Sequence, residues 1–348
     1  MSTSPIFITG RFRSGSTLLW NIYDHAQDYR AFYEPCHDNL LAHIRYTKPM
    51  ASHRGVTTYW GAYRPILETL EQVHSPAFGL TRLLLERDDQ WPELVRHLRF
   101  LIDAAGKDRA VLQFNRVDFR LPWLRRAFSE ARIVHIWRDC RETFASSVRH
   151  LPPERIDDPG EDDMYDQLHW SVSLSPHLPF LAGRSVTTSY HRIYYLWKLS
   201  LLMGRQWSDV SISFDDDILG DPWRGMKALV EAGLLEEREA AAALILIEPI
   251  DRLSWRVLHD ESWFASIEAE CEATLDRLGL NEWFGRKPLR EIRAQFAPAW
   301  RASDAEVSPD ILDQVLLSLS RHRSEVTRLL YIVRALEADK ANVEREYA

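Results

Sequence analysis

Two short stretches carry residue types whose spacing suits the handling of anions. The first is Gly10-Arg11-Phe12-Arg13-Ser14-Gly15-Ser16-Thr17. It follows the apolar run Pro5–Thr9 and precedes a helical pattern from Thr17 to Tyr23. A glycine loop between a strand and a helix brings backbone N–H groups and a helix N-terminus onto a phosphate. The G-x-x-x-x-G spacing is that of a nucleoside-triphosphate loop, but Ser16 stands where that class needs a lysine. Arg13 instead puts a cation on the loop itself, and Ser16 and Thr17 add hydroxyls at the first helical turn. The chemistry this suggests is binding of a phosphate that carries a transferable group, with no metal expected.

The second stretch is Arg138-Asp139-Cys140-Arg141-Glu142-Thr143-Phe144-Ala145-Ser146, after the apolar run Arg132–Trp137. Asp139 and Glu142 occupy the N-cap and N3 positions of a helix expected from Cys140 to Val148. Arg138 at the strand end can present its planar fork to a phosphate, with the Ser146 hydroxyl donating from the helix above. For a proton acceptor near the first loop, the candidates are His25, Glu34, His37 and Asp38. Glu34 lies within Phe32-Tyr33-Glu34-Pro35, and burial among these neighbours is expected to raise its pKa. Arg116 is placed to form a surface ion pair with Asp118.

The run Phe7 to Leu19 resembles the 5′-phosphosulfate loop of sulfotransferases that use 3′-phosphoadenosine 5′-phosphosulfate (PAPS). Arg138 and Ser146 match that family's 3′-phosphate site, with Cys140 in place of a common proline. In the first loop Phe12 likewise replaces a proline. Ser213–Pro222 and Ser254–Leu258 extend the similarity. The resemblance implies a PAPS-binding set of Arg11, Phe12, Arg13, Ser14, Gly15, Ser16, Thr17, Arg138, Ser146 and Arg256. It implies Glu34, Arg13 and Arg116 as the catalytic groups, with His37 the other reading for the base. The activity implied is metal-independent transfer of a sulfonate to a hydroxyl or amine of a small-molecule, lipid or sugar acceptor. A P-loop kinase and a non-catalytic nucleotide-binding protein remain the alternatives.

Elements that could position these groups are legible as strand–turn–helix units, which argue for an α/β fold with a central, mainly parallel sheet flanked by helices. A third strand is expected at Val210–Phe214 and a helix at about 222–232. Helical stretches are expected at about 62–105 and 190–205, and 152–163 is a surface loop or lid. Leu312, Val315, Leu319, His322, Val326, Leu329, Val333 and Leu336 form a heptad seam, expected either to pack on the same domain or to join copies of the chain. The expected division is a sulfotransferase domain over 1–295, with acceptor-binding insertions at 40–110 and 150–190, and a helical extension over 296–348.

The net charge of −8 argues against a nucleic-acid binder, yet permits one concentrated anion pocket. The longest apolar run, Ala240–Ile247, is too short to span a membrane. The N-terminus lacks the basic and apolar regions of a secretory signal, and three scattered cysteines suit a reducing compartment, so a cytoplasmic location is expected.

Overall fold

The computed structural model describes residues 4–46, 55–160, 165–248 and 253–305. Five parallel strands form the centre: β1 (Ile6–Thr9), β2 (Tyr29–Tyr33), β3 (Arg109–Phe114), β4 (Arg132–Trp137) and β5 (Val210–Ser213), in the order β2-β3-β1-β4-β5. β1 is buried along its whole length because it pairs on both sides, Phe7 lying opposite Leu112 of β3 and Ile133 of β4. Such a strand needs an unbroken apolar run, which Ile6-Phe7-Ile8 supplies.

The helices are α1 (Ser16–His25), α2 (Leu40–Tyr46), α3 (Leu67–Val73), α4 (Ala77–Leu80), α5 (Pro92–Ala104), α6 (Leu121–Ala127), α7 (Cys140–Val148) and α8 (Gln167–Leu174). After them come α9 (Ser189–Trp207), α10 (Pro222–Glu231), α11 (Glu237–Ala243) and α12 (Glu261–Arg277), with three shorter helices up to Ala305. From β1 the chain moves to one edge of the sheet, and it reaches the other edge only with β4 and β5. The carboxyl ends of β1 and β4 therefore flank the crevice in which a doubly wound sheet binds ligands.

The strands expected at the two loops are present, as are the helices that follow them. Phe214 is not part of β5 but opens a π-helical turn, Phe214–Gly220. Two strands were not anticipated. β2 (Tyr29-Arg30-Ala31-Phe32-Tyr33) is an edge strand of mixed polarity, and β3 carries Arg109 and Gln113 within its apolar residues. The stretch 62–105 is not one helical block. It breaks at Ser75-Pro76 and again between Leu80 and Pro92, where proline at the first helical position restarts the helix. Residues 161–163 of the expected loop and the whole heptad seam lie outside the described residues, so the long C-terminal helix does too.

Buried polar groups tie the layers together. Arg120 is fully buried and donates to the carbonyls of Phe78 (2.7 Å), Thr81 (2.7 Å) and Arg82 (3.0 Å), which holds the turn after α4. His97 hydrogen-bonds the Pro35 carbonyl at 2.9 Å, and His135 faces Ser211 at 3.1 Å. Burial pushes both rings down to a pKa of about 3, helped by His74 for the first and Arg205 for the second. Both are neutral when folded, whereas an unfolded histidine takes up a proton near pH 6.5. Below that pH the unfolded chain binds more protons, so stability falls as pH falls from about 6.5 toward 3. At pH 5 each ring costs about 2 kcal/mol relative to pH 8. Urea unfolding should show this loss, and His135→Leu should flatten it; an equally steep decline in that variant would remove His135 as a source.

Candidate functional site

The first loop is shaped by backbone conformation. Ser14 N–H donates to the Arg11 carbonyl at 3.2 Å, and both Arg13 and Gly15 have positive φ, 67° and 93°. A Cβ on Gly15 would stand 2.2 Å from the Phe214 ring, so only glycine lets the loop lie against that ring. Gly15 caps α1 without a side chain, which leaves the first-turn amides to an anion or to water. The buried Ser14 Oγ has no partner among the described residues. A Cβ on Gly10 would crowd it at 2.6 Å. An orphaned hydroxyl and uncapped amides within a glycine cradle are what a bound phosphate requires.

Arg13 crosses from this loop to α7, where its Nε donates to Ser146 Oγ at 2.8 Å. Its guanidinium also lies 5.5 Å from the Tyr165 ring centre. Among the described residues it has no carboxylate partner, and burial, with Arg149 and Arg138 nearby, lowers its pKa. The two stretches singled out in the sequence thus meet through one hydrogen bond. Ser146 accepts from Arg13, rather than donating beside Arg138.

Arg138 is buried at the end of β4, with its guanidinium 3.3 Å from Glu142, 3.4 Å from Asp215 and 5.4 Å from the Phe214 ring centre. Asp139 caps α7 as expected, accepting from Arg141 N (2.9 Å) and Glu142 N (3.1 Å). Glu142 does not complete a capping box. It turns to Arg138 and to Ser254, whose Oγ donates at 2.7 Å, while Asp215 accepts from Asp139 N. Glu142 also takes the Leu253 amide. Arg256 is exposed, with its guanidinium against the Trp255 ring at 5.2 Å.

A second network joins the loop to the end of β2. Ser16 Oγ donates to Asn115 Oδ1 at 2.7 Å, and Asn115 Nδ2 donates to Glu34 Oε1 at 2.8 Å. The other Glu34 oxygen pairs with Arg116, whose guanidinium also meets Asp166 at 3.1 Å and Asp38 at 3.9 Å. Arg116 is therefore not paired with Asp118. That carboxylate takes Arg11, at 3.3 Å. Arg11 is buried over the Trp170 ring and donates to Gln167 at 2.6 Å, so its guanidinium is engaged within the protein, and its backbone is what it offers the loop. Phe12 packs between Arg116 (4.9 Å) and the Tyr165 ring (5.7 Å). Thr17 Oγ1 lies 3.0 Å from the Tyr33 hydroxyl.

The expected rise in the Glu34 pKa is reversed. Burial pushes it up, but Arg116, His37, Asn115 and His43 outweigh burial and hold the carboxyl below its ordinary value. His37 Nδ1 accepts from Asn39 N at 3.0 Å and lies 3.1 Å from Asp38, so it faces the same network. His25 belongs elsewhere, bonded to the Asn21 carbonyl of its own helix at 2.9 Å. Sequence reasoning missed Asn115, Phe214, Tyr165 and Asp166. The only local signal was that Asn115 precedes Arg116 and that Tyr165-Asp166 follows the Pro- and acid-rich loop. Trp60, Tyr63, Trp170 and Tyr190 are buried core residues.

Residues 5–175 match the sequence profile described as the sulfotransferase family. That stretch holds the glycine loop, the β4–α7 junction and the Glu34–Arg116 network. The five-stranded parallel sheet flanked by helices bears out the expected α/β architecture. Similar solved structures include the sulfotransferase STF1 from Mycobacterium tuberculosis H37Rv, at 14% identity, covering 86% of this chain and 77% of that one, with a TM-score of 0.39. Another is the sulfotransferase domain of the Synechococcus PCC 7002 olefin synthase, at 13% identity, covering 86% and 96%, with a TM-score of 0.32. No curated protein matches the sequence. Among the described residues, no helix is long and apolar enough to cross a membrane.

The close approach of Gly15 to Phe214 in this loop is directly testable. Gly15→Ala should lower the unfolding free energy by about 1–3 kcal/mol, through the clash and the left-handed backbone. Combined with Phe214→Ala, the loss measured in urea should be smaller than the sum of the two single losses. Strict additivity would mean that the ring and the loop do not constrain each other.

Proposed function

We propose that this protein transfers a sulfonate from PAPS to a hydroxyl or amine of a small acceptor. The observation that carries the reading is the 2.8 Å bond between Arg13 and Ser146, which makes one continuous site of the glycine loop and the β4–α7 junction. A donor with anionic groups at two ends suits such a site. The 5′-phosphate end would lie on the loop amides with Ser14, Ser16 and Thr17, and the 3′-phosphate end near Arg138 and Ser146.

The transfer is an in-line displacement with a loose transition state. The acceptor oxygen or nitrogen forms a bond to sulfur as the bond from sulfur to the bridging oxygen breaks. The electron pair leaves on the phosphate oxygen, where Arg13 is the cation least compensated by carboxylates in this site. Arg116, held beside Glu34, faces the developing charge on the transferring group. Glu34 receives the acceptor proton. A carboxylate kept below its ordinary pKa is always in the accepting form at neutral pH but has a weak pull on the proton. That weakness is tolerable in a loose transition state, because the acceptor atom becomes acidic only once its bond to sulfur has formed.

Incubation with labelled PAPS and a small-molecule extract should give adenosine 3′,5′-bisphosphate and a labelled product, with EDTA having no effect. No turnover together with no affinity for the bisphosphate would rule the reading out. Arg13→Ala should lower the transfer rate by about 10²–10³, as loss of an oxyanion donor does. Glu34→Gln should lower transfer while leaving calorimetric affinity for adenosine 3′,5′-bisphosphate within about threefold; an unchanged rate would point to His37 as the proton acceptor.

A further inference from the structure

Among the described residues, six other than glycine have positive φ, and Arg13 (67°), Glu34 (44°) and Asp166 (58°) are three of them. These three converge on one place. Arg13 and Glu34 already have roles in the proposed transfer, whereas Asp166 does not. Strain of this kind persists only where the surroundings impose it, and it collects at functional sites.

Asp166 is the N-cap residue of α8, and aspartate there ordinarily accepts from the amides of the first turn. Here its side chain makes no capping bond. The carboxylate is instead turned to Arg116, at 3.1 Å. The chain thus gives up a stabilising cap and adopts a left-handed backbone at a residue with a Cβ. Both costs are offset by one interaction, with a buried arginine that also holds Glu34. The residue before it, Tyr165, meets Phe12 at 5.7 Å and Arg13 at 5.5 Å. Residues 165 and 166 therefore reach both cations of the transfer centre at once.

We propose that Asp166 is a positioning residue: it acts through Arg116 to hold that guanidinium, and the Glu34 carboxylate paired with it, in the geometry transfer needs. The proposal rests on the sulfonyl-transfer reading for its rate effect, but not for its structural part. Without Asp166 the Arg116 fork has Glu34 and the more distant Asp38 as partners and is drawn toward the floor of the site. A displacement of this size at a reacting centre costs on the order of 10–100-fold in rate.

The test uses Asp166→Asn, which tolerates the left-handed backbone but lacks the charge, and Asp166→Gly, which also relieves the strain. Both are read by formation of labelled product from PAPS and the small-molecule extract, by calorimetric affinity for adenosine 3′,5′-bisphosphate, and by thermal unfolding. Both variants should lose about 10–100-fold in rate while keeping affinity within about threefold. Asp166→Gly should unfold within a few degrees of wild type or above it, because relief of strain offsets the lost ion pair. A purely structural residue would behave in the opposite way, with unfolding falling and rate preserved in the folded fraction. Asp166→Asn combined with Arg116→Lys should be no slower than Arg116→Lys alone. Additive losses, or an unchanged rate in Asp166→Asn, overturn the proposal. If wild type forms no labelled product and does not bind adenosine 3′,5′-bisphosphate, the transfer reading falls. The unfolding of Asp166→Gly then decides the structural part: a marked drop overturns it, and a maintained or raised midpoint supports it.

Discussion

Arg116 is a buried cation, and its need for counter-charge organises the site. A guanidinium taken out of water must be met by carboxylates, because leaving it uncompensated costs several kcal/mol. The partners come from separate parts of the chain: Glu34 at the end of β2, Asp38 just beyond it, and Asp166 at the start of α8. One ion-pair cluster thereby fastens a sheet edge and a helix start to Arg116, two residues past β3. Asn115, the residue before it, carries the linkage on to Ser16 and the glycine loop. Two of the contributing residues adopt left-handed backbone to take part, so local conformation yields here to charge pairing.

The same principle explains how an acidic protein builds a site for anions. Its cations are concentrated and unequally compensated. Arg116 and Arg138 are each held by carboxylates, which keep them ordered but dilute their charge. Arg11 is engaged with Asp118, Gln167 and the Trp170 face. Arg13 differs, with a hydroxyl and an aromatic ring as its partners. Burial among other arginines lowers its pKa, and an incoming anion would relieve that strain. The steepest attraction thus falls at the loop, where a transferring group and its leaving phosphate would lie.

Much of this was legible before any coordinates. Strand-loop-helix units show up where an apolar run ends in glycine or in Arg-Asp, since turn chemistry is local. β1, β4, α1 and α7 follow from that pattern, and so do the loop residues, whereas Ser146 meets Arg13 rather than Arg138. β2 and β3 were not legible because an edge strand and a strand holding Arg109 and Gln113 lack a clean apolar run. Asp166 and Tyr165 were equally hidden: their importance comes from contacts with residues 50 or more positions away. Residue type alone did not show that the Arg11 guanidinium is engaged in the interior or that Arg256 lies exposed on Trp255.

The sequence by itself determined the resemblance to sulfotransferases, the two strand–turn–helix junctions and the alternation of strands and helices, because each depends on residues adjacent in the chain. Tertiary structure alone decided which arginine meets which carboxylate. The adjacent pair Arg116–Asp118 looks self-sufficient in sequence, yet the fold gives Asp118 to Arg11 and gives Arg116 to Glu34 and Asp166. It also decided that Glu34 is held ionised rather than raised. Burial and counter-charge act on a carboxyl in opposite directions, and which one prevails depends on distances that only folding sets.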